Sequence, residues 1–139
     1  ASNLSGKAIS ISKTTAPHAI SYPFTSHYNI SHGKAVAITF NDILKFNYFN
    51  KDRSLSKFNL DDRFKILFKL TQTQNIFELD KFFSILKKNA KIKDSFLELN
   101  INPSQSIRYI LREVNQKRLS NNPIHIDFES LRKILLIKK

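Results

Sequence analysis

A chain of 139 residues has the size of one domain and buries roughly two-thirds of its surface on folding. Hydrophobic residues at 41% with twelve Phe exclude a disordered segment, no apolar run reaches a membrane span, and the lack of Cys excludes disulfides, thiolate metal sites and cysteine catalysis. The formal charge of +12 raises nucleic acid as a partner, but from Lys51 to Lys139 the basic residues are scattered at helical spacing, as on solvated faces, so nucleic acid is not the expected partner and the chain reads as soluble and cytoplasmic.

Two Gly, four Pro and almost no strict polar/apolar alternation predict helices throughout, six or seven of them, and no sheet. The chain opens at Ala1 in helical text. The first fifty residues hold three of the four His and only one acid, Asp42, so chemistry is expected there. The segment Thr14 to Gly33, TTAPHAISYPFTSHYNISHG, sets His18 and His32 on either side of a Pro-containing aromatic stretch. Two imidazoles on neighbouring helices can share a metal if the turn brings their faces together. By spacing alone the pair is weak evidence, because lone His residues near apolar helices are usually packed or surface side chains. Pro17 and Pro23 are expected to shape a helix entry and a turn or kink, and Gly33 to allow close packing beside the pair. His27 and His125 read as structural.

Further along, AVAITFNDILKFN continues as a long helix. Start signals then recur from Asn59. Asn75 with Glu78 at the capping-box position precedes a stripe of Leu79, Phe82, Phe83 and Leu86. Asn102 with Pro103 precedes Ile107, Ile110, Leu111 and Val114. Ser120 to Pro123 reads as a turn, and Asp127 caps a last helix that turns Phe128, Leu131, Ile134 and Leu135 inward. The two Gly, Gly6 and Gly33, cannot build a glycine-rich dinucleotide loop, so this chain alone holds no recognisable nicotinamide site.

His18-Ala19, Tyr22-Pro23, Tyr28 and His32-Gly33-Lys34-Ala35 together resemble the second signature of iron-containing alcohol dehydrogenases. The match is specific over about forty residues, and the helical character continues to the end of the chain. It implies an all-α multi-helix bundle over residues 1–139 like the C-terminal, dehydroquinate synthase-like metal-binding domain of that family. The outer two histidines, His18 and His32, would be metal ligands for Fe(II) or Zn(II). The remaining ligands, an Asp and a His, would lie with the NAD- or NADP-binding domain upstream of Ala1. Many members carry a further His four residues after the first ligand. Tyr22 stands there instead, implying a catalytic position with altered substrate handling.

Lys13, Thr14, Thr15 and Lys34 are candidates to face an anionic substrate group. The text VNQKRLSNNP is similar to a subgroup that reduces phosphonate-bearing aldehydes such as phosphonoacetaldehyde. The resemblance thus implies hydride transfer between NAD(P) and a small alcohol or aldehyde by a whole enzyme that is a homo-oligomer, with this chain inactive and weak in metal binding when isolated. The alternatives are a glycerol dehydrogenase-like enzyme and a basic helical nucleic-acid-binding or interaction module.

Overall fold

A computed structural model describes residues 2–138 as eight α-helices with a short 3-10 turn and, among the described residues, no strand. In chain order they are α1 (Ser2–Ser12), α2 (Ala16–Tyr28), α3 (His32–Phe49), the 3-10 turn (Lys51–Arg53), α4 (Leu60–Thr71), α5 (Ile76–Asn89), α6 (Pro103–Glu113), α7 (Gln116–Leu119) and α8 (Phe128–Leu136). The described part of the expected all-helical bundle is therefore present. The four-residue α7, too short to show a hydrophobic period, is the helix that the sequence count of six or seven left out.

Local chemistry sets most boundaries. Asn59, Asn75, Asn102 and Asp127 each accept a backbone N–H of the helix they open, satisfying donors with no partner inside it. Glu78 returns to the N–H of Gln74 rather than to Asn75, so the capping box is displaced by one residue. Pro103 occupies the first position of α6, where a missing N–H costs nothing. The helix ends at Asn29 and Gln72 adopt the left-handed region, the conformation that lets their N–H groups turn back to close the last turn.

The larger core lies among α2, α3, α6, α7 and α8 and contains Ile20, Phe24, Ile38, Ile110 and Leu135, all fully buried. A smaller cluster of Leu60, Phe64, Ile76, Leu79 and Ile124 joins α4 and α5 to the far end of α3. The α6 stripe Ile107, Ile110, Leu111 and Val114 is buried as its spacing predicts. By contrast, α1 is exposed from Asn3 to Ser12, with Ile11 among its exposed apolar side chains.

Two expectations for the core require correction. On α5, Leu79 is buried, but Phe82 and Phe83 are half-buried and Leu86 is exposed. The helix turns a polar edge to α3 instead: Asn41 donates to Asp80 Oδ1 at 2.7 Å and to Ser84 Oγ at 3.1 Å, and Lys87 donates to the Ala37 carbonyl. With the Asn41 Nδ2 group and Lys87 engaged on this edge, the Phe82 and Leu86 side of the helix faces outward. On α8, Leu131, Ile134 and Leu135 are buried whereas Phe128 is exposed, because at the first position of the helix it lies beyond the edge of the core.

An ionic network closes the bundle behind α3. Asp42, on the buried face of α3, lies 2.7 Å from Lys138 Nζ and 3.5 Å from Lys45 Nζ. Lys45 also reaches Asp80 at 3.0 Å, and Lys87 pairs with Asp94. The backbone N–H of Phe96 donates to the Lys138 carbonyl at 2.6 Å, so the end of α8 is held both by main chain and by charge.

Candidate metal site

His18 lies in the first turn of α2 and His32 opens α3, so the turn at Asn29–Ser31 determines their separation. The contact between the first turns of α2 and α3 sets the imidazole centroids 5.5 Å apart with planes tilted by 55°. Two imidazoles bound to one four-coordinate ion at the usual nitrogen–metal length have ring centres about 5 Å apart, so the pair has the spacing of shared ligands. Nitrogen donors of this kind suit Fe(II) and Zn(II) alike. Among the described residues no group of three or more His, Cys, Asp or Glu is placed to hold a metal. The two histidines by themselves offer two nitrogen donors, fewer than the four that a tetrahedral ion takes.

Electrostatics favour the ligating form of His18. Partial burial, then the neighbouring His32, then the Arg118 guanidinium lower its pKa and keep the imidazole neutral. Ser21 is fully buried beneath the pair. Its hydroxyl donates to the His18 carbonyl at 2.8 Å and lies 3.4 Å from His32 Nδ1. Since that hydroxyl proton is already used, the contact favours a proton on Nδ1 and leaves the opposite nitrogen of His32 free as a lone-pair donor.

Tyr22 lies one turn along α2 from His18, with its ring centre 6.1 Å from that of His32 and its edge open to solvent. Beside it stands Arg118 of α7, its guanidinium 5.2 Å from the Tyr22 ring centre and donating to Thr14 Oγ1 at 2.6 Å. Pro23 explains how α7 reaches this position. It sits inside α2, so of the turn or kink expected there the turn is absent, and its missing N–H frees the carbonyl of Ala19 four residues back. The backbone N–H of Asn115, the cap of α7, donates to that carbonyl at 3.3 Å, and Asn121 Nδ2 donates to the Thr14 carbonyl at 3.1 Å.

The remaining candidates are dispersed. Thr15 caps α2 through its backbone, with no capping bond from its side chain, and Lys13 is exposed in the left-handed region after α1. Lys34 is not gathered with the histidines: it lines a recess of about 430 Å³ with Lys91, Lys93 and Leu99. A Cβ on Gly33 would meet open space, so the close packing expected of that glycine is absent. His27 stacks edge-on against Tyr109 of α6, and His125 lies exposed in the loop before α8. Arg118 and Ser21 had escaped the sequence reading. Only the text VNQKRLSNNP pointed toward Arg118, and nothing local in the sequence puts it beside Tyr22.

The chain matches the model of the Fe-containing alcohol dehydrogenase family, C-terminal, over residues 1–137. Over 48 residues it is 40% identical to a phosphonoacetaldehyde reductase of Streptomyces viridochromogenes, a stretch covering 34% of this chain and 12% of that protein. The solved sulfoacetaldehyde reductase of Bifidobacterium kashiwanohense, a complex with NAD+, has the same fold over 91% of this chain and 31% of its own, with a TM-score of 0.67 at 23% identity. These matches span less than a third of the length of either relative.

Proposed function

The chain belongs to the Fe-containing alcohol dehydrogenase family, and we propose that it is the helical, metal-carrying part of an enzyme that moves hydride between NAD(P) and a small alcohol or aldehyde. The observation that carries this reading is the His18–His32 pair, held 5.5 Å apart across the α2–α3 turn. His18 and His32 would supply two of the ligands to a divalent Fe or Zn ion, the others coming from outside the described residues. When bound, such an ion supplies Lewis-acid polarisation of the substrate oxygen and a template for its orientation. Both relatives named above are aldehyde reductases by title, and one was solved with NAD+.

The chain's own residues do the rest. Ser21 orients His32, and burial together with the charge of Arg118 helps to keep His18 neutral. Tyr22, whose ring centre is 6.1 Å from that of His32, would donate a hydrogen bond from its hydroxyl to an oxygen held beside the imidazoles. Thr15, Lys13 and Lys34 remain candidates for contact with a charged group on the substrate, Thr15 being in the same turn as His18.

Zn(II) titration of the 15N-labelled chain, followed through the histidine ring nitrogens, tests the proposal. The response should be weak, centre on His18 and His32, and be lost from both in either His18→Ala or His32→Ala, because one remaining imidazole holds a metal poorly. An equal response at His27 and His125 would refute the site.

A further inference from the structure

We infer that Arg118 is a specificity-determining residue that binds an anionic group of the substrate, so that the alcohol or aldehyde handled beside His18 and His32 bears a tetrahedral oxyanion such as a phosphonate or sulfonate. This rests on the reading of the histidine pair as a metal site. Arg118 is half-buried whereas Arg53, Arg63, Arg108, Arg112 and Arg132 are exposed, and among the described residues it has no carboxylate partner, unlike Arg112 and Arg132, which pair with Glu113 and Glu129. Its Nη1 donates to a neutral hydroxyl, Thr14 Oγ1, and its charged face lies over the Tyr22 ring. A guanidinium carries five N–H donors in a planar fork, and one bond to Thr14 leaves most of them unused.

The position is also costly for a cation. His18 feels the charge of Arg118, and a divalent ion between the rings of His18 and His32 would add two positive charges to that region. An anion held at the fork offsets that repulsion, and bidentate pairing to a tetrahedral oxyanion is what the guanidinium geometry favours. The element that presents it is tied to the start of α2 at two points, Asn115 N–H on the Ala19 carbonyl and Asn121 Nδ2 on the Thr14 carbonyl, and is capped internally by Asn115 Oδ1 on the Arg118 N–H. A mobile surface arginine would need no such anchoring.

Methylphosphonate, methanesulfonate and ethanol serve as probes in nuclear magnetic resonance titrations of the 139-residue chain, with and without Zn(II). Both anions should shift the Arg118 Nε–H and Tyr22 resonances saturably, and ethanol should not. Arg118→Gln, which keeps an N–H donor for Thr14 but removes the charge, should weaken the anions about tenfold, and Arg118→Lys by less, as a point charge replaces a fork. Arg112→Ala should leave binding unchanged, and circular dichroism should show each variant folded.

Unchanged affinity in folded Arg118→Gln overturns the inference. So does an absence of saturable shifts up to tens of millimolar anion, or a response centred on Lys34, Lys91 and Lys93. If His18 and His32 ignore Zn(II) while Arg118 still titrates with the anions, the metal reading fails and the anion site stands. The reverse pattern keeps the metal and removes Arg118 from recognition.

Discussion

Asp42 offers the most informative perturbation of the fold. It is the only acid among the first fifty residues, sits on the buried face of α3, and has Lys138 Nζ at 2.7 Å and Lys45 Nζ at 3.5 Å. Its Oδ2 has no partner of hydrogen-bond geometry, so Lys138 neutralises it as an ion pair. Removing one member of a buried pair strands the other at a cost of about 3–5 kcal/mol. Here Lys138 keeps Asp94 at 3.6 Å, and Lys45 keeps Asp80 at 3.0 Å. Both lower the cost, and Asp42→Asn should destabilise the fold by about 2–3 kcal/mol. Asp42→Asn combined with Lys138→Met removes both charges and should recover most of that loss, to within about 1 kcal/mol of the parent. Urea unfolding followed by circular dichroism measures each value, with the slope unchanged if only stability moves. A single-variant loss below about 1 kcal/mol would place the pair with surface salt bridges. Additive losses in the double variant would show no coupling and would equally refute the reasoning.

Ile110 is fully buried in the larger core, and Ile110→Ala should cost about 3 kcal/mol, read as a lowered urea midpoint. At Asp80, burial raises the carboxyl pKa, but hydrogen bonds from Lys45 and Asn41 outweigh it and leave it below the ordinary range. That contribution to stability is present above about pH 4 and is lost as pH falls through the lowered folded value, so Asp80→Asn should flatten the acid limb of the stability profile. A parallel, unflattened limb would remove Asp80 from acid unfolding. Tyr22→Phe conserves the ring over which Arg118 lies and should leave stability and the Zn(II) response of the histidines intact. In the holoenzyme it should lower kcat/KM by about tenfold to a thousandfold, whereas unchanged kcat and KM across pH would reduce Tyr22 to packing.

Sequence by itself determined what depends on a few neighbouring residues. Asn59, Asn75, Asn102 and Asp127 cap the helices they were expected to open, since a cap is completed within two or three residues by the backbone it serves. The α6 stripe is buried because its spacing leaves one apolar face. The histidine pair was visible as a pattern, and the fold brings it together because α2 and α3 are consecutive and a three-residue turn leaves them little freedom. Only the tertiary structure decided the rest. Leu86 carries the apolar character of a core residue and is exposed, while Lys87 beside it is buried, because the Ala37 carbonyl of α3 and Asp94 take up its ammonium. Asp42 found its strongest partner at Lys138, near the other end of the chain. Arg118 reached Tyr22 because Pro23 left the Ala19 carbonyl free for Asn115. In each case the deciding partner lies far along the chain or on another helix, and a hydrogen bond or charge that must be satisfied in the interior selects it from outside the reach of local spacing.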